Sequence, residues 1–391
     1  MNTFGNKFRV SIFGESHGPV IGVTVDGVIP GIPLSENDFL QDLSRRKAGA
    51  LGTTPRIEAD TPEILSGVYE GHTTGAPLTV IFRNANTRSV DYEAFRKNPR
   101  PGHADFTANL KYGGYNDPRG GGHFSGRLTL GIVAAGVIAK KMMYFAKFNA
   151  VLKEVGGLTD AEKWPEALKA AAADGDSLGG VVECVVEGLP IGLGEPFWDS
   201  VESVLSHAVF AIPGVRGIEF GDGFEAARMK GSEHIDLFPE HKCHKDDPHH
   251  ECCHGEHEEG HHCHHDDPDH ECCHGSDGCH TESSSCHTES SFCHSERSEE
   301  SPHCCHHGDN QDGEHHCCGR HHRPQPPVTN HAGGVNGGIT NGNPVVFRVA
   351  FKPTASIAKA GVGGRHDVCF ALRTPVIVEA MAAICLVDLA L

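Results

Sequence analysis

Apolar and polar positions interleave in short runs at residues 8–14 (FRVSIFG), 22–28 (GVTVDGV), 179–190 (GGVVECVVEGLP) and 344–353 (PVVFRVAFKP), which predicts four strands. Longer patterns predict helices. Residues 34–49 (LSENDFLQDLSRRKAG) read as a helix capped at Ser35, with Asp38 three residues on. Residues 127–148 read as a long, mostly apolar helix suited to burial, residues 200–212 as a helix, and residues 374–391 (TPVIVEAMAAICLVDLAL) as a second apolar one. Strands and helices mix without a clean βαβ period, so the expected class is α+β.

The pattern stops between Glu240 and Gln325. This window has almost no large apolar residues, yet it holds 13 of the 16 cysteines and 22 of the 30 histidines. DDPHHECCHG (246–255) returns as DDPDHECCHG (266–275), and a seven-residue period beginning Cys-His follows. Too little apolar surface is present to offset about 1–2 kcal/mol of backbone entropy per residue. Residues 240–325 are therefore expected to be a disordered low-complexity insertion in a single domain formed by 1–239 and 326–391. Enlarging a loop from ~10 to ~85 residues costs only about 2 kcal/mol by the logarithmic closure rule. Cys/His tracts can take soft metals, but the pairs here are Cys-Cys rather than the Cys-x-x-Cys of closed zinc sites, and no metal site is expected.

The window also carries most of the charge. The whole chain has a formal net charge of −19, of which −15 lies in the window. The remainder is nearly balanced, and no nucleic-acid partner is expected. No apolar run reaches the ~18 residues of a membrane span. The three cysteines outside the window, Cys184, Cys369 and Cys385, make no disulfide framework. With no secretory pattern at the N-terminus, a cytoplasmic location is expected.

Polar chemistry concentrates in Gly-rich connections: GESHG (14–18), RPGHADF (100–106), GGGHFSGRLT (120–129) and GRHDVC (364–369), with SRRKAG (44–49) at a helix end. Glycine amides let a phosphate or cofactor approach closely, though 119–122 matches no dinucleotide or P-loop pattern. The residues alone suggest an enzyme for an anionic substrate or cofactor, with loop histidines for proton transfer and arginines for phosphate or carboxylate. Taken singly, His17 and His103 read first as structural loop histidines. A metal-buffering protein, which would bind zinc or copper tightly, and a flavin reductase, which would oxidise NADPH without substrate, also remain open.

Taken in order, FGESHG, DGVIPGIPL, RPGHADF with KYG, RGGGHFSGRLT, NHAGGVNGGITNG, KPTASI and GRHDVC resemble the chorismate synthase family over residues 1–240 and 326–391. The resemblance implies a sandwich of helices between antiparallel sheets, assembled as a homotetramer. It implies the anti-1,4-elimination that converts 5-enolpyruvylshikimate 3-phosphate to chorismate and phosphate, the last step of the shikimate pathway, with reduced FMN as cofactor and a separate flavin reductase. By resemblance, His17, His103 and Asp367 are the catalytic groups: one histidine for the flavin, one for the departing phosphate, and the aspartate assisting proton removal. Arg46, Arg100, Arg127 and Ser16 fall on positions for the substrate or the phosphate of NADP. The flavin positions map onto His123, Phe124, Ser125, Pro213, Gly214, Gly337, Lys352, Pro353, Thr354, Ala355, Ser356 and Arg365. The chain departs from the family in three places. Val368 replaces a usual proline, only seven residues (357–363) separate KPTAS from GRHD, and Gly52 stands where many relatives carry arginine.

Overall fold

The computed structural model describes residues 2–56, 58–87, 92, 95–239, 325–363 and 366–391. The expected insertion, apart from Gln325, and the flavin candidate Arg365 lie outside the described residues.

The first elements are β1 (Thr3–Phe4), β2 (Arg9–Gly14), β3 (Val20–Asp26), α1 (Asn37–Arg46), β4 (Glu63–Ser66), β5 (Val68–Tyr69), β6 (His72–Thr73) and β7 (Leu78–Arg83). They build a five-stranded sheet ordered β1-β2-β3-β7-β4, with β5 and β6 as a separate small hairpin. Next come α2 (Asp105–Lys111), α3 (Thr129–Met142), β8 (Lys147–Val155), α4 (Trp164–Ala173), β9 (Gly180–Glu187), α5 (Val201–Val209), β10 (Val215–Phe220) and α6 (Gly231–His234). The chain ends with the hairpin β11 (Val335–Asn336)–β12 (Ile339–Thr340), then β13 (Val345–Phe351) and α7 (Pro375–Ala390). The second large sheet is ordered β10-β13-β9-β8, and all strand pairs among the described residues are antiparallel.

Two apolar helices fill the space between the sheets. α3 packs on β2, β3 and β7, α7 packs on β8 and β9, and the two helices pack on each other. Neither shows an amphipathic stripe; α7 buries every residue from Val376 to Asp388, as a helix enclosed on all sides must. At their crossing a Cβ on Gly136 would lie 2.3 Å from that of Ala380, so only glycine permits the approach. The β9–β13 ladder shows the other half of the code. Val182, Cys184 and Val186 pair with Val349, Phe347 and Val345 and face inward, all fully buried. On the opposite face Arg348 bridges Glu183 and Glu219. The α+β sandwich expected from the sequence is thus the fold.

Two local expectations change. The helix expected over 127–148 ends at Met142, and its tail belongs to β8, where every second residue turns inward. An unbroken apolar run hid the change of period. Ser35 does not cap α1 as an acceptor. Instead the Asp38 carboxylate accepts the Ser35 N–H (2.7 Å) and hydroxyl (3.1 Å), the reverse arm of a capping box.

Residues Met1–Pro239 and Gln325–Leu391 form one unit. The two flanks of the 240–324 segment are tied together at its root. Asp236 accepts the Thr329 hydroxyl (2.7 Å) and the N–H groups of His331 (2.8 Å) and Ala332 (2.9 Å), and Val328 N–H donates to Leu237 O (2.9 Å). No described helix is long and apolar enough to cross a membrane.

Candidate active site

A cavity of about 1060 Å³ opens among the Gly-rich loops. Eight Arg and Lys side chains line it against three carboxylates, Glu58, Asp60 and Asp367. That excess of fixed positive charge suits an anionic ligand.

The loop before α2 supplies the first cluster. Asp105 takes Arg100 bidentately (2.7 and 2.8 Å) and lies 2.6 Å from His103 Nδ1. Burial works to raise the Asp105 pKa, but the bonds from Arg100 and His103 outweigh it and hold the carboxyl well below its usual range. Arg100 and His103 both line the cavity.

The glycine turn 120–122 joins this cluster to the GESHG loop. All three glycines have left-handed φ (61°, 82° and 54°). A Cβ on Gly120 would strike the His17 ring and Ser16 Oγ at 2.6–2.7 Å, and one on Gly121 would touch His103 at 3.4 Å. The two candidate histidines therefore flank one turn. His103 lines the cavity, whereas Ser16 and His17 are not among its lining residues. His17 is buried, with the Tyr92 ring edge-on at 5.1 Å. Ser16 Oγ accepts from Arg56 (3.0 Å), whose guanidinium is clamped by Glu58 (2.8 and 3.1 Å).

The third cluster hangs on Asp60. It takes Arg127 Nη1 at 2.9 Å and Arg46 Nη1 at 3.4 Å, while Arg46 Nε donates to Thr129 Oγ1 at 2.9 Å. Burial, with Arg373 beside it, pulls the Arg46 pKa down to about 9, which leaves it charged at neutral pH. Arg127 Nε bonds Asn84, but its Nη2 is buried with no partner among the described residues.

The last cluster surrounds Asp367. Arg373 grips both its oxygens (3.1 and 2.8 Å), and Thr54 N–H donates to Oδ1 (2.9 Å). The adjacent His366 lines the cavity with Nε2 buried and unpartnered among the described residues. Burial, and next the charge of Arg100, lowers its pKa to about 4, so it is a neutral imidazole. Lys352 to Ser356, Pro213, Gly214, His123, Phe124 and Ser125 all line the cavity. Burial and Arg216 lower the Lys352 pKa. Gly337 lies in the β11–β12 turn and is not among the lining residues. At Gly52, φ is +83° and a Cβ would meet the side-chain ends of Leu168 and Leu372 within 3 Å, so the backbone there favours glycine. Sequence reasoning missed Arg56, Arg373, Glu58, Asp60, Asp105 and His366; Asp105 and His366 sat inside motifs already singled out. No group of three potential metal ligands occurs among the described residues.

Comparison with known proteins gives a consistent set of matches. A family profile, chorismate synthase, matches residues 8–255 and 303–391. A chorismate synthase of Chitinophaga pinensis is 50% identical over 403 residues, spanning 99% of this chain and 96% of that protein. One of Dehalococcoides mccartyi is 36% identical over 431 residues, spanning 100% and 96%. A crystal structure of a chorismate synthase shares the fold, with a TM-score of 0.62 at 23% identity over 98% of this chain and 92% of that one.

Proposed function

The chain belongs to the chorismate synthase family, and on that footing we propose how its cavity serves the family's reaction. It is a carbon–oxygen lyase that eliminates phosphate from 5-enolpyruvylshikimate 3-phosphate to give chorismate, in aromatic amino acid biosynthesis.

The observation that carries the site reading is Arg127. A buried guanidinium N–H without an acceptor costs about 1–3 kcal/mol or more, so Nη2 is set for a ligand oxygen. A planar, permanently charged fork suits a phosphate or carboxylate. Arg127, with Arg46 and Arg56 beside it, holds the substrate anions; Asp60 and Glu58 hold the arginines. The cavity fits a second ligand too. Its volume reaches the upper limit of ~300–1,000 Å³ usual for one drug-sized molecule. His366 Nε2 also waits for a partner.

The residues fit FMN, with Lys352–Ser356, Pro213, Gly214 and the 123–125 loop as its walls and Lys352 as a cation for its phosphate. Bound reduced FMN supplies electron density to the allylic system as phosphate leaves. Of His17 and His103, which flank the glycine turn, one protonates the departing phosphate and the other the flavin. Asp367, fixed by Arg373 and Thr54, assists proton removal. Ile12, Leu128, Ile132, Met381 and Ile384 close the apolar side and exclude water. NADP, if it enters, meets the same basic side chains through its phosphate.

A separate enzyme reduces the flavin, and the chain works as a homotetramer in the cytoplasm. Exposed Phe197, Trp198, Tyr144 and Tyr115 offer apolar surface for assembly. The described cysteines are unpaired thiols, as in a reducing compartment.

Under strict anaerobiosis, with reduced FMN and 5-enolpyruvylshikimate 3-phosphate, the protein is expected to release chorismate and phosphate in equal amounts. Turnover no greater than a buffer control would defeat the assignment. A second expectation concerns the Cys/His-rich segment. Its root is closed by Asp236 and the Leu237–Val328 bond, so the active-site loops do not need the residues between. Replacing residues 243–322 with a short Gly/Ser linker should leave chorismate formation within a few-fold and raise stability by about 2 kcal/mol or less. A metal-dependent regulatory loop predicts otherwise: a chelator would change the turnover of the full chain by several-fold and leave the deletion variant untouched.

A further inference from the structure

Most of the basic side chains that line the cavity hold a carboxylate. Arg46 and Arg127 share Asp60, Arg56 takes Glu58, Arg100 takes Asp105 and Arg373 takes Asp367. Lys47, Arg216 and Lys352 line the same cavity and hold none among the described residues. Lys47 closes the end of α1. Arg216 and Lys352 are neighbours, and two adjacent cations without an anion are the feature left unexplained.

The backbone builds their proximity. β10 and β13 pair Val215 with Phe351 and Gly217 with Ala350, so Arg216 is the extra residue of a bulge. A bulge takes a side chain out of the strand's alternation and re-aims it. One residue past Phe351, the Lys352 N–H donates to Gly214 O at 2.8 Å and ties the two chains together where β13 ends. Burial, and next the charge of Arg216, pulls the Lys352 pKa down, and no carboxylate offsets them. The ammonium has one weak contact, 3.4 Å from Pro353 O. Four residues on, Ser356 is 5% exposed, lines the cavity and makes no hydrogen bond to another described residue.

Like charges held side by side repel when the site is empty, and a bound dianion reverses the sign. A phosphate monoester carries about −1.5 to −2 charges at pH 7 and three acceptor oxygens, enough for two cations and a hydroxyl. The substrate anions already have Arg127, Arg46 and Arg56. Arg216 is exposed, at the rim, and only two residues past Gly214 in the flavin wall. The phosphate of FMN ends a flexible chain remote from the reacting ring, so a rim seat suits it.

We infer that Arg216, with Lys352 beside it and the Ser356 hydroxyl, seats the terminal phosphate of FMN, and that Arg216 makes the site select the phosphorylated flavin over riboflavin. The inference rests on the reading that this cavity holds FMN.

The test is anaerobic titration of the full chain, wild type and Arg216→Gln, with reduced FMN and separately with reduced riboflavin. Glutamine keeps much of the length and removes the charge. Arg216→Gln should weaken FMN binding by about 10–100-fold, the range for a lost charge-assisted hydrogen bond, and change riboflavin binding by less than about threefold. The flavin-free variant should melt no lower than the wild type, because the change relieves a like-charge contact. An equal loss for both flavins would overturn the inference, since Arg216 would then act on the ring or the fold. Unchanged FMN affinity with a raised substrate KM would overturn it too, and would give the cation pair to a substrate phosphate. A wild type that binds neither flavin would remove the FMN reading itself. Salt offers a check without a variant: it should weaken FMN binding more than riboflavin binding, and equal effects would refute a charge-held phosphate.

Discussion

His103→Ala is expected to slow chorismate formation by roughly 10²–10⁴, the range for loss of a positioned acid or base, and His17→Ala by a similar factor. The two cases rest on different geometry. His103 lines the cavity, so its removal takes an imidazole from the wall of the ligand site. His17 is buried against Gly120 and Tyr92. Its loss empties a buried site behind the glycine turn. The anions of substrate and FMN are assigned to arginine and lysine side chains rather than to these histidines, so FMN affinity and substrate KM should change far less than kcat. Steady-state rates with flavin kept reduced, paired with FMN titration, separate these terms. If either variant retained near wild-type turnover, that histidine would have no part in the chemistry.

Much of this site was legible because its chemistry sits in contiguous loops. RPGHADF, GGGHFSGRLT and KPTAS each bring several residues to the cavity in one piece, and local spacing is what a sequence displays. What stayed hidden were the partners that the fold supplies from elsewhere. Asp367 meets Thr54 and Arg373, and Arg127 meets Asn84 and Asp60, through packing of distant segments that no spacing reveals. Asp105 was nearer to view: a carboxylate two residues past a histidine and five past an arginine could have been weighed as their holder. The same division holds for the fold. β2, β3, β9, β13, α1, α5 and α7 follow from their patterns. The α3–β8 boundary does not, because Met143–Phe148 is as apolar as the helix before it and only the register against β9 decides its conformation.

The largest effect on stability is expected at Glu379, a carboxylate in the middle of the most apolar helix. Its side chain is 2% exposed. Arg45 holds both oxygens (2.7 and 2.6 Å), Lys140 donates to Oε2 (2.9 Å), and the backbone N–H of Ala150 donates to Oε1 (2.8 Å). One group thereby ties α7 to α1, α3 and β8, the elements that join the two halves of the sandwich. Burial alone would raise its pKa, but Arg45 and Lys140 overcome it and the pKa lies below the usual glutamate value. Glu379→Ala would strand an amide N–H and leave two cations short of a partner. Breaking a fully buried pair costs about 3–5 kcal/mol. Arg45 and Lys140 are 38% and 21% exposed and keep Asp42 nearby, so the cost here should fall near the lower end, about 3 kcal/mol. Glu379→Gln keeps an acceptor for Ala150 and should cost less. The sign with pH follows from the lowered pKa. The wild type has this stabilisation in full above the unfolded glutamate value of about 4.3 and loses it as the pH falls through the folded one. The gap between wild type and Glu379→Gln should therefore be constant from about pH 6 to 8 and close in acid. Urea midpoints measured from about pH 8 down through the acid range check both statements. A Glu379→Ala variant within 1 kcal/mol of wild type at neutral pH, taken as negligible against the ~3 kcal/mol expected, would mean that Asp42 alone carries the two cations and that the buried carboxylate is not what joins the halves.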